Sequence, residues 1–180
     1  MSMWWRPEVG GSVSIRSASA PFMRAFAERV EAGLLTGRPH PRSNYVVDSS
    51  GPDQIVVRAA DWWTAINVGL NRVELRYAPP DRVRYHVQYR QWTQYAVGLS
   101  GAMGLIGLGL LLGTDARGYI ARNPGSMVPG LSVEQNLAIA WMMALFWGFV
   151  WPWLLVAMHK RPLRRLVTRL IAEVDAQALR

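Results

Sequence analysis

Residues 137–158 read LAIAWMMALFWGFVWPWLLVAM, 22 consecutive positions without a charged side chain. At ~1.5 Å of rise per residue, a helix of that length reaches across a hydrocarbon layer ~30 Å thick, so the segment is expected to span a membrane. A second uncharged stretch, Gln91 to Thr114, meets the same criterion. Working outward from these two segments gives an α+β membrane protein. A small N-terminal domain precedes a two-helix transmembrane hairpin, and a C-terminal amphipathic helix follows it. The expected divisions are a flexible arm at 1–20, a cytoplasmic α+β domain at 21–90, spans at 91–114 and 132–158, an extracytoplasmic loop at 115–131, and a basic helix at 159–180.

The charge distribution orients this scheme. Twenty Lys and Arg against twelve Asp and Glu leave a formal charge of +8, and the cations crowd beside the spans. Arg72, Arg76, Arg82, Arg84 and Arg90 precede the first; Lys160, Arg161, Arg164, Arg165 and Arg169 follow the second; only Arg117 and Arg122 lie between. By the positive-inside bias both termini are expected in the cytoplasm, as in a bacterial inner-membrane protein. The arginines form no groove-reading motif, so nucleic acid is not an expected partner. The chain has no cysteine, which excludes disulfides, thiolate metal sites and a cysteine nucleophile. Residues 1–21 lack the apolar core of a signal peptide, so export of the first domain by that route is not expected.

Within the N-terminal domain, residues 1–20 are rich in Gly and Ser and show no period, hence the expected arm, with Trp4 and Trp5 as its only aromatics. From Pro21 the spacing turns helical: Phe22, Met23, Phe26, Ala27, Val30 and Leu34 face one way, and Arg24, Glu28, Arg29 and Glu31 the other. The prolines and glycine of residues 36–43 end that helix. Tyr45–Val47 and Ile55–Val57, joined by Ser49-Ser50-Gly51-Pro52-Asp53, read as a hairpin. Residues 61–70, DWWTAINVGL, fit either a strand or a short helix capped by Asp61; the Trp, Thr, Ile and Val content favours the strand. Val73, Leu75 and Tyr77 alternate with polar residues, and so do Val83, Tyr85, Val87 and Tyr89. One apolar and one polar face predict an antiparallel meander of four or five strands covered on one side by the amphipathic helix. Its last strand enters the first span almost without a linker, which should hold the sheet against the membrane. Trp92 and Tyr95 then fall at headgroup level.

The first span is crowded with small residues. At ~100° per residue Gly98, Ala102 and Gly109 share one side and Ser100, Gly104 and Gly107 the opposite one, with Gly101 also in the run. In the second span Ala140, Ala144 and Gly148 repeat every four residues, and Ser132 with Gln135 forms a capping box at its start. Pro152 cannot donate to Gly148, so a kink is expected there. Trp147 and Trp151 lie too deep for headgroup anchors and are expected to pack on protein. Asn123-Pro124-Gly125 and Pro129-Gly130 mark the loop as a connector. Pro162 is expected to start a separate helix whose face of Leu163, Leu166, Val167, Leu170, Ile171 and Val174 either lies on lipid or docks on the sheet.

Little in the chain points to catalysis. His40, His86 and His159 are far apart and form no ligand pair of known spacing, turn and cap roles account for Asp48, Asp53 and Asp61, and no phosphate loop, dinucleotide fingerprint or serine elbow occurs. No metal or cofactor is expected. Neither span carries the ionisable residue that ion pathways use. The expected function is a non-enzymatic membrane scaffold or accessory subunit. It would hold a protein partner through Arg82, Arg84, His86 and Arg90 on the polar strand face. Trp92, Tyr95, Lys160, Arg161, Arg164, Arg165 and Arg169 would meet anionic headgroups. A homo-oligomeric, membrane-perturbing or channel-forming protein joined through its glycine faces is the first alternative, and a membrane-bound enzyme the second.

Overall fold

The computed structural model describes residues 6–33, 45–123, 125 and 128–180. Trp4, Trp5, Leu34, residues 36–43 with His40, and Pro124 lie outside that range. The protein is α+β, with a five-stranded antiparallel sheet and two helices long and apolar enough to cross a membrane. It divides into two compact units, Met1–Gln94 with Val156–Arg180, and Tyr95–Leu155.

In the first unit β1 (Glu8–Ser14), β2 (Tyr45–Ser50), β3 (Gln54–Ala59), β4 (Arg72–Ala78) and β5 (Arg82–Gln88) lie in the order β1-β5-β4-β3-β2. The last four form the expected meander, but β1 is a correction, because seven residues of the supposed arm are an edge strand paired to β5. Val9, Gly11 and Val13 stand opposite Val87, Tyr85 and Val83. Glycine is required at 11: a Cβ there would lie 2.5 Å from the Tyr85 hydroxyl. The Gly10-Gly11 pair that hides the strand's alternation thus makes room for its neighbour's ring.

The apolar face of the sheet is covered twice. Helix α1 (Ser19–Glu31) contributes Phe22, Met23, Phe26 and Val30, fully buried against Ile55, Val57, Val73, Leu75, Val83 and Val87. Beside it lies the end of a long helix, α6 (Trp151–Ala178), with Leu163, Val167, Leu170, Ile171 and Val174 all buried in the same core. The C-terminal segment therefore docks on the sheet, and its apolar face is not available to lipid. It is not a separate helix either: Pro162 sits inside α6. A proline mid-helix costs ~3 kcal/mol through its lost bond, which five buried aliphatic side chains at ~1.5–3 kcal/mol each outweigh.

Residues 61–70 are a second correction. They form helix α2 (Trp62–Val68), not a strand. Asp61 accepts from the Thr64 amide at 2.8 Å and from its hydroxyl at 3.1 Å, and Gly69 closes the helix at φ 74°, in the left-handed region. The cap at each end outweighs the β-leaning composition between them.

The second unit holds the rest of helix α3 (Arg90–Gly113), then α4 (Ala116–Arg122), α5 (Val133–Leu145) and the first residues of α6. The expected connector contains α4, capped by Asp115, whose carboxylate accepts from the Gly118 amide at 2.9 Å. Ser132 and Gln135 cap α5 reciprocally. Between α5 and α6 lies a π-helical turn, Phe146–Val150, in which the Trp151 amide reaches the Phe146 carbonyl. One extra residue in the turn absorbs the donor that Pro152 lacks. Trp147 packs edge-on against Trp151 with ring centres 4.8 Å apart. It is nonetheless 46% exposed, so a neighbour on its own helix does not bury it.

Candidate functional site

The register fixes what the uncovered face of the sheet presents. Side chains alternating with the core set give rows that run across the strands: Gln88, Arg72 and Arg58; then His86 and Glu74, ending at Val56, which is itself buried; then Ser12, Arg84, Arg76 and Gln54. Arg82 stands at the end of β5. Arg58, Arg72, Arg76, Arg82 and Arg84 are all exposed.

Three of these arginines are already matched. Asp48 lies between Arg58 and Arg72, at 3.2 and 3.4 Å, and Glu74 accepts from Arg76 at 3.1 Å and from Gln54 at 3.2 Å. His86 comes within 4.0 Å of Glu8. Arg82 and Arg84 have no ion pair among the described residues. They line an open cavity of about 510 Å³ with Ser12, Ala78, Pro79, Pro80 and Asp81. Two guanidiniums without an ion pair, set beside a hydroxyl and a proline turn and outnumbering the single Asp81 carboxylate, suit an oxygen anion or a carboxylate-bearing surface. Arg90, expected on this face, instead begins α3, one residue beyond the strand-to-helix junction at Tyr89.

The expected lipid-facing residues are dispersed. Trp92 stacks on His159, ring centres 4.1 Å apart and 7° from parallel, while Tyr89 meets His159 edge-on at 5.4 Å and its hydroxyl donates to the Val156 carbonyl at 3.2 Å. The His159 ring also fills the space that a side chain at Gly69 would need, and its buried Nε2 has no hydrogen-bond partner among the described residues. Burial holds its pKa below the usual imidazole range and keeps the ring neutral in the stack. Burial likewise lowers Lys160, opposed by Glu8 and assisted by Arg164. Arg161, Arg164 and Arg165 are exposed, and Arg169 binds Glu173 at 2.8 Å. Tyr95 is exposed.

Of the small residues, the structure brings together Gly104, Gly107, Ala144 and Gly148, with the Ser100 carbonyl beside Gly148. At Gly98, Gly101 and Gly109 a methyl group would meet nothing within 4 Å, and Ala140 faces an open groove along α3 and α5.

Sequence reasoning did not find Asp175, whose side chain is among the heavily bonded ones of the described residues. The Asp175 carboxylate accepts from the Arg16 amide at 3.0 Å through both oxygens, from the Ser17 amide at 2.9 Å and from the Ser17 hydroxyl at 2.6 Å. Arg29 adds a 2.5 Å bond to Glu173. The Asp175 bonds clamp α6 to the residues just before α1 across 158 and 159 positions of sequence, and the Arg29 bond ties it to the last turn of α1 across 144, separations at which no local pattern gives a signal. Among the described residues no three His, Asp or Glu side chains gather in a metal-binding group. Comparison of the chain with known protein families, curated proteins and solved structures finds no match.

Proposed function

We propose that the chain is a membrane-anchored scaffold or accessory subunit that holds an acidic protein partner against the uncovered face of its sheet, at the cytoplasmic surface. The supporting observation is the asymmetry of that sheet. One face is filled by α1 and α6, whereas the other carries five exposed arginines, of which Arg82 and Arg84 are unmatched by any described carboxylate. The anchor rests on α3 and the α5–α6 segment. Only 6% and 17% of their most apolar windows are buried, where the core helix of a soluble domain would be mostly buried.

Arg82→Glu combined with Arg84→Glu should abolish a crosslinked complex recovered from native membranes, while Arg24→Glu on exposed α1 surface leaves it intact. Both side chains are exposed, so the circular dichroism of the variant should match the wild type. Loss of the complex in neither variant would sink the reading. If purified protein in vesicles released dye by itself, and Gly109→Leu stopped the release, the oligomeric pore would replace it. That second reading draws on the open positions at Gly98, Gly101 and Gly109.

Orientation is tested separately. A cysteine at Val128 should react with an impermeant thiol reagent outside intact cells, and cysteines at Ser50 and Thr168 should not. The reverse pattern would put the sheet on the outer side.

A further inference from the structure

Helix α2 carries two tryptophans that the fold leaves in the open, Trp62 at 49% exposure and Trp63 at 65%, in edge-on contact at 5.1 Å. Its opposite side is buried through Thr64 and Ala65, and Ile66, one turn on from Trp62, is buried as well. The position of α2 in the first unit is set by two ties. Asn71 donates to the Ala65 carbonyl at 2.9 Å and accepts from the Gln91 amide at 2.7 Å, fixing α2 to the first turn of α3. Gly69, the C-cap of α2, lies against the His159 ring, so the same C-terminal end is also held to α6. Within the first unit the C-terminal end of α2 is thus held to the first turn of α3 and to α6 at His159, and Arg90 and Arg161, next to these contacts in sequence, are exposed.

An indole has an apolar body and one N–H donor, which suits neither bulk water nor hydrocarbon but the layer between. We infer that Trp62 and Trp63 seat α2 in the headgroup layer of the bilayer, a third membrane contact beside the two helices that sets the tilt of the sheet over the surface. The occupant of this aromatic surface is lipid and not protein, since α2 cannot leave the level of Gln91 and His159 without breaking both ties. The inference rests on the membrane-anchored reading proposed above.

Because the chain has no cysteine, a spin label can be placed at one site only. Asn67 is exposed and lies one helical turn from Trp63, Asp53 is exposed in the turn at the far end of the sheet, and Met103 is exposed in the middle of α3. In vesicles of phosphatidylcholine and phosphatidylglycerol, collision with a water-soluble nickel chelate should be at least ~3-fold lower for Asn67→Cys than for Asp53→Cys. Trp62→Ala with Trp63→Ala should raise the Asn67 value toward the Asp53 value, and Met103→Cys should collide with oxygen instead. Equal chelate collision at 67 and 53, with Met103 in lipid, overturns the inference and leaves the anchor standing. Chelate access at Met103 overturns both.

Discussion

Asp175→Ala is expected to lower the stability of the first unit by about 3 kcal/mol, since hydrogen bonds to a charged group contribute ~1.5–3 kcal/mol and a buried donor left unpaired costs ~1–3 kcal/mol. The substitution removes four contacts and leaves the Ser17 amide, itself buried, facing a methyl group. At ~4–8 °C per kcal/mol for a unit of this size, the melting temperature should fall by more than about 10 °C. Proteolysis should then release the segment beyond Val156 first. Asp175→Asn keeps one acceptor and should lose roughly half as much. A melting temperature for Asp175→Ala within error of the wild type would mean that α6 is held by its apolar face alone.

The same carboxylate makes the clamp sensitive to acid. Burial raises the Asp175 pKa, but the bonds from the Ser17 hydroxyl, the Ser17 and Arg16 amides and the Arg16 charge outweigh it, so the group titrates below its ordinary range. Glu173 is lowered too, first by its hydrogen bond from Arg169, against burial and with help from Arg29. A carboxylate whose folded pKa is depressed stabilises fully above its unfolded value, about 4, and that contribution is lost as pH falls through the folded one. Stability should therefore decline in acid, less steeply in Asp175→Asn, with Glu173 contributing to the slope that remains.

How much of this was legible in the sequence depends on how far each determinant reaches. Strands β4 and β5 are readable because Val73, Leu75, Val83, Tyr85 and Val87 repeat with period two, and a half-buried antiparallel strand requires that pattern. Strand β1 is not, because its inward position 11 must be glycine to admit the Tyr85 ring. In residues 61–70 a property of the interior, Trp, Thr, Ile and Val, competes with a property of the ends, Asp61 and Gly69, and the ends decide. Pro162 misleads for a related reason, since local chemistry says stop while the buried stripe from Leu163 to Val174 carries the helix on. The arginine face follows from alternation alone, but which of its arginines are matched depends on Asp48, the extra residue where the register of β2 on β3 shifts, and on Glu74, placed by its pairing with Val56. The clamp at Asp175 is beyond any local rule.

Gly104→Leu is expected to disrupt the second unit more than any other single change there. A Cβ at Gly104 would lie 2.6 Å from the Gly148 Cα, 3.3 Å from the Phe149 ring and 3.4 Å from the Ala144 carbonyl. Backbone cannot rotate aside as a side chain can, so the α3 and α5–α6 backbones must separate, and the close packing along Gly107 and Ala144 goes with them. Overpacking alone costs ~1–3 kcal/mol, and the lost van der Waals contact adds to it. Gly109→Leu is the matched control: the same change on the same helix, at a position with nothing within 4 Å. It removes a helix-interior glycine, worth ~1 kcal/mol, and should leave thermal unfolding in mild detergent unchanged or slightly raised. Gly104→Leu should lower the transition by several degrees or abolish its cooperativity. Equal melting of the two variants would show that the backbones do not meet at Gly104 and Gly148. A change of particle size in Gly109→Leu alone would place a second copy of the chain on the open side of α3.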